Sequence, residues 1–275
     1  MKNILFLVAI LQLLHVETHA QSSRTLYLAD SVAKEVLENE GLYTVMGGLK
    51  PISTVLQFQF EIDSVAQSYK ADEEVRQRIS ELSHALSLLE SSPIGFIILP
   101  FRQIHGNQRS FEVLVYHQEA VAEKITQYEA FFLERGLLPT SPVEQVLAQT
   151  EFDHAPARFR GYGYFFGYPA HAVDFFVASA QHEKDTKEFV KRDFYQIPVS
   201  SREQGAFVYA VPKDYKPQEV DLLLKENAME LLEIYKARKS RVMESDQQYP
   251  FLELYWDISK REKAFKNMKL FSTVE

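Results

Sequence analysis

The sequence predicts an α+β fold: a mostly antiparallel sheet of about four to five strands with helices packed on one side, and a C-terminal helical extension. Two observations carry this. Val75, Ile79, Leu82, Leu86 and Leu89 recur at spacings of four, three, four and three, the stripe of an amphipathic helix over Asp72 to Glu90. Short runs rich in branched and aromatic residues, such as VLQFQFEI (Val55–Ile62), IGFIILPF (Ile94–Phe101) and FEVLVYH (Phe111–His117), have the length and composition of strands. Strands that neighbour one another along the chain favour antiparallel pairing with helices segregated to one side.

In chain order, Leu26 to Glu40 reads as a first helix stopped by Gly41. Met46-Gly47-Gly48-Leu49-Lys50-Pro51 is a turn signal, followed by the Val55–Ile62 strand. After the Asp72–Glu90 helix, the continuous apolar run Ile94–Phe101 suits a strand buried on both faces. It is joined through a loop containing Gly106-Asn107 to the Phe111–His117 strand as a hairpin. One amphipathic helix is expected from Gln118 to Arg135, ended by Gly136, and a short one from Pro142 to Gln149. Phe152 to Tyr168 is dense in aromatics and glycine, and Pro169 suits the first turn of the helix after it. Phe194–Val199 and Ala206–Val211 read as two further strands. A long helix follows from Pro217 to about Ser245, then an aromatic-anchored tail from Tyr249 to Glu275. The expected organisation is a signal peptide over residues 1–20, an α+β domain over 21–215 and a helical extension over 216–275 packed on that domain.

The first twenty residues give the clearest statement about place. Lys2 precedes the eleven-residue apolar run Ile4–Leu14, and Thr18-His19-Ala20 ends in a small residue, the order of a secretory signal peptide. The run is short of the ~20 apolar residues that span a bilayer. The expectation is an exported protein, periplasmic or secreted, with no stable membrane insertion after cleavage. The absence of cysteine excludes disulfides, thiolate nucleophiles and cysteine-held metal or iron–sulfur sites, so the fold rests on its core. With 46% hydrophobic and 13% aromatic residues such a core is available. A net charge of −8 argues against non-specific nucleic-acid binding, so no nucleic-acid partner is expected.

Two segments resemble an uncharacterised bacterial family, a domain of unknown function. Gly41 to Lys50 (GLYTVMGGLK) lies over a family motif of the form H-C-A-P-T-L-A-G-x-K, and Arg160 to Val173 (RGYGYFFGYPAHAV) over one of the form H-E-x-G-x-F-L-G-Y-P-x-x-D-V. Between them Ile94–Leu99 and Val113–Tyr116 match the family's strand order, so the likeness spans about residues 41–212. The family's histidine and cysteine fall on Gly41 and Leu42, and its second histidine and glutamate on Arg160 and Gly161. A thiol or metal site built on those positions in relatives is not kept here. The resemblance implies a fold and carries no activity.

The residues offer one leading site. Arg158 and Arg160 stand among Tyr162, Tyr164 and Tyr168 around three glycines, just ahead of the helix after Pro169. Arginines grip carboxylate or phosphate bidentately, and a helix N-terminus favours an anion. Lys50, beside Gly47-Gly48, supplies a third cation and backbone N–H groups. The expected ligand site is therefore Lys50, Arg158, Arg160, Tyr162, Tyr164 and Tyr168. The plainer alternative is a buried strand, turn and helix whose aromatics are core. The Gly47–Pro51 turn lacks full P-loop spacing. His154, His171 and Asp174 form the alternative of a metal-dependent enzyme, although no HExxH-type spacing is present. No G-x-S-x-G elbow or triad marks a hydrolase, and no cofactor is called for. The basic run Lys236 to Arg241 reads as a charge-complemented helix end. The expected role is binding of a small anionic ligand or a protein partner, with a structural or interaction protein of the cell envelope as a further alternative.

Overall fold

The computed structural model describes residues 23–63, 65–66 and 68–261. The expected signal peptide and the end of the C-terminal tail lie outside these residues. The class is α+β. Helix α1 covers residues 23–38, and its buried residues Ala29, Val32, Ala33, Val36 and Leu37 lie on one helical stripe. It ends before Gly41, where the Asn39 side chain donates back to the Glu35 carbonyl at 3.1 Å. Gly41 therefore does not stop this helix as expected. It opens a second, short one, α2 (Gly41–Val45), whose five residues are all buried.

Strand β1 (Ile52–Asp63) pairs with the two-residue β2 (Ser68–Tyr69) only at Ile62 and Asp63. After α3 (Asp72–Ser87), β3 (Ile94–His105) and β4 (Gln108–His117) form the expected hairpin, turning at Gly106. The sheet order is β2-β1-β4-β3, antiparallel throughout. β4 explains the layering. Val113 and Val115 enter one apolar cluster, with α1, α2, α3 and the C-terminal helices Glu219–Met243 and Pro250–Ser259, while Leu114 enters a second, with the helices between Gln118 and Phe165. Side chains alternate across a strand, so this sheet is covered by helices on both faces, a fuller layering than helices on one side.

The single helix expected over Gln118–Arg135 is two: α4 (Gln118–Gln127) and α5 (Glu129–Leu133). Tyr128 leaves helical backbone at φ −115°, ψ 40°. Its ring stacks on Tyr164 with centroids 3.6 Å apart and planes 6° off parallel. Next come α6 (Val143–Phe152), α7 (Ala155–Phe165) and α8 (Ala170–Thr186). Strands β5 (Arg192–Val199) and β6 (Arg202–Pro212) pair only with each other, as a separate two-stranded sheet. The C-terminal helices α9 (Glu219–Met243) and α10 (Pro250–Ser259) bury Leu231, Leu232, Tyr235, Leu252, Leu254, Tyr255 and Ile258 in the first cluster, so the extension shares a core with the rest. Asp30 on α1 caps α10 by accepting from the backbone N–H groups of Phe251 (2.8 Å) and Leu252 (2.9 Å).

Candidate functional site

The aromatic–glycine segment is a helix, α7, and not a strand followed by a turn. Two glycines inside a helix cost roughly 1 kcal/mol each in propensity, and close packing offsets that cost. A Cβ at Gly161 would come 2.9 Å from Thr150 Cγ2 on α6, and one at Gly163 2.8 Å from Val173 Cγ2 on α8. The glycines let three helices approach. Gly167 then takes φ 75° in the turn to α8, where a Cβ would meet the Leu49 carbonyl oxygen at 2.9 Å. The Gly41–Lys50 and Arg160–Val173 segments are thus packed against each other, with Lys50 Nζ 5.4 Å from the Tyr168 ring.

Each cation of the expected anion site is held by its own carboxylate. Lys50 is fully buried, paired with Glu40, and its ammonium lies 4.1 Å from the Phe207 ring centroid and 5.2 Å from that of Phe166. Burial lowers its pKa, against the opposing pull of Glu40. Arg158 Nε donates to Glu151 at 3.1 Å, and Tyr162 donates to the same carboxylate oxygen at 2.9 Å. Arg160 points elsewhere, donating to Tyr164 at 3.0 Å and pairing with Asp174. Positions two apart on a helix face different ways, which separates Arg158 from Arg160. Burial, then the adjacent Glu151, pushes the Tyr162 phenol up, and burial does the same for Tyr168.

What gathers around Arg158 is a different set. Glu151, fully buried, also accepts from the backbone N–H of Arg102 at 2.7 Å. The Arg102 guanidinium bonds the Asp153 carbonyl, and Arg135 Nε donates to the Asp153 carboxylate at 2.8 Å. Arg102, Arg135 and Arg158 therefore meet at the α6–α7 junction. Arg102 has no carboxylate partner among the described residues. The first turn of α7 has no side-chain cap there. On the sheet beneath, Glu112 is buried and accepts from Thr54 and from Gln57 (3.3 Å); burial raises its pKa.

The alternative metal set does not come together. His154 is exposed with Asp153 at 3.9 Å, and Asp174 is taken by Arg160. His171 sits 2.8 Å from the Tyr215 hydroxyl and 3.3 Å from Asp221. Among the described residues no group of three histidine or carboxylate side chains is arranged to hold a metal. His171 belongs to a cluster that the sequence pattern did not mark. Asp221, fully buried, accepts from Tyr209 at 2.5 Å, from Tyr215 and from the Gln218 backbone N–H at 2.7 Å. This cluster joins α8, β6 and the start of α9. The one sequence signal for Asp221 was its place three residues into a helix behind Gln218, a capping-box position.

Comparison with protein-family models, curated proteins and solved structures finds no match to this chain.

Proposed function

We propose that the protein is an exported, non-enzymatic binding protein that takes a small phosphate- or carboxylate-type anion at the α6–α7 junction. The observation that carries this reading is Arg102. Its guanidinium is drawn to the junction by the Asp153 carbonyl, lacks a carboxylate partner among the described residues, and stands beside two more arginines and an uncapped helix start. An anion there gains charge-assisted hydrogen bonds and the positive end of α7. Export is supported by the order Lys2, Ile4–Leu14, Thr18-His19-Ala20. Against this site Lys50 and Arg160 act as internal ties, each neutralised by its own carboxylate.

Calorimetric titration with inorganic phosphate tests the reading. Saturable binding that Arg102→Gln weakens about tenfold and Arg160→Gln leaves unchanged supports it. No saturable binding, or equal loss in both variants, rejects it.

A further inference from the structure

A cleft of about 390 Å³ opens between β1 and α3, remote in sequence from the α6–α7 junction. This is within the ~300–1,000 Å³ of small-molecule sites. Phe58 and Phe60 of β1 form one wall and are themselves backed by aromatics. Phe58 stacks on Phe111 at 5.5 Å with planes 4° off parallel, and Phe60 meets Phe111 edge-on at 5.7 Å. The wall is thus a continuous π surface. The opposite wall is α3, through Glu74, Gln77, Arg78 and Glu81.

The charges of that wall are not alike. Glu81 is satisfied, accepting from Arg24 at 3.0 Å and from Gln77 at 2.9 Å. Arg78 has no hydrogen-bond or ion-pair partner among the described residues; its guanidinium lies 5.9 Å from the Phe58 ring centroid. Glu74, one helical turn earlier on the same face, likewise has none among those residues. The two do not pair with each other, although side chains four apart on a helix are neighbours. The cleft therefore presents one uncompensated cation and one uncompensated carboxylate, a turn apart, facing an aromatic surface.

We infer that this cleft is a binding site for a free α-amino acid with an aromatic side chain. The ligand carboxylate takes the Arg78 guanidinium, the ligand ammonium takes Glu74, and the ring lies against Phe58 and Phe60. A planar guanidinium matches a carboxylate bidentately. Aromatic pairs gain beyond the area they bury. A simple anion meets repulsion from Glu74, and a simple amine meets repulsion from Arg78, so the zwitterion is the complement. The site shares no residue with the α6–α7 junction and stands or falls separately from it.

Calorimetry on the full chain with L-phenylalanine, 3-phenylpropanoate and 2-phenylethylamine decides the matter. L-phenylalanine is expected to bind about tenfold more tightly than either probe that lacks one charge. Arg78→Gln should reduce it to the level of the amine, and Glu74→Gln to the level of the propanoate. Both positions are exposed, so an unchanged melting temperature confirms that the variants are folded. Arg102→Gln should leave this binding intact. Absence of saturable heat, equal affinity for the three probes, or wild-type affinity in either cleft variant overturns the inference.

Discussion

The Tyr209 hydroxyl lies 2.5 Å from Asp221 Oδ1, joining β6 to the first turn of α9 in a fully buried contact. Asp221 also holds Tyr215 and the Gln218 N–H, so one carboxylate fixes the start of a 25-residue helix. Tyr209→Phe removes one donor from a buried charge and is expected to cost about 1–3 kcal/mol. That lowers the melting temperature by roughly 2–4 °C per kcal/mol. Asp221→Asn is expected to cost more, since it disturbs every donor at once. Groups within one network do not act independently, so the double variant should lose less than the sum of the two single losses. Thermal denaturation of the three variants checks this, and strict additivity would contradict it.

Glu112 makes a pH prediction with a definite sign. Burial raises its folded-state pKa above the usual carboxylate value. The unfolded chain therefore ionises first as pH rises. The resulting penalty on folding is absent below the unfolded pKa, grows through the folded one and is fully present above it. Glu112→Gln keeps an acceptor for Thr54 and Gln57 while removing the charge. The variant should be more stable than wild type near pH 7, with the difference vanishing below about pH 4. Melting temperatures of both proteins across that range test it. A variant less stable at pH 7 would show that the carboxylate is a net asset.

Lys50 and Glu40 form a pair in which one partner is fully buried and the other a quarter exposed. Lys50→Ala empties the space among Phe166, Tyr168 and Phe207 and should be destabilising by about 2–5 kcal/mol, as for other buried truncations. Lys50→Met fills that space with a flexible apolar chain that favours aromatic contact, and should lose much less. Lys50→Met with Glu40→Gln should equal or exceed wild type, because an apolar replacement spares the desolvation of the ammonium. Urea titration ranks the three. A double variant no better than Lys50→Ala would mean that the ion pair itself holds this region.

The elements that were legible in the sequence are those whose pattern answers directly to the core they pack on. The Val75–Leu86 stripe became α3 because one core face decided its pattern, and the continuous apolar run Ile94–Phe101 became β3 because both of its faces are packed. Segment 155–165 does not announce itself as a helix because its glycines answer to Thr150 and Val173 on other helices, and close packing overrides propensity. The break at Tyr128 is hidden too, since the ring that stacks on it, Tyr164, lies far along the chain. The candidate cations were legible as residues but not as partners. Arg158 faces Glu151 and Arg160 faces Asp174, and only the three-dimensional path of α7 between α6 and α8 decides that. Glu112 left a faint mark, a charge inside the apolar strand FEVLVYH. Arg102 and Arg135 left none.

The capping of α10 by Asp30 is one of the most distant contacts along the described chain. Phe251 and Leu252 are 221 and 222 residues from their acceptor, and Glu38 waits for Tyr235 and Lys239 at separations of 197 and 201. Helix α1 has nearer partners in Glu81 and Ser200, but the contacts of Asp30, and those of Glu38 with Tyr235 and Lys239, wait until α9 and α10 have been made. A growing chain with its long-range contacts still missing cannot lock into the native state, since those contacts carry the largest loop-closure cost and form late. The contacts that tie α1 to α9 and α10 can all form only once residue 252 has been made, so they are among the latest and entropically costliest closures of the described residues.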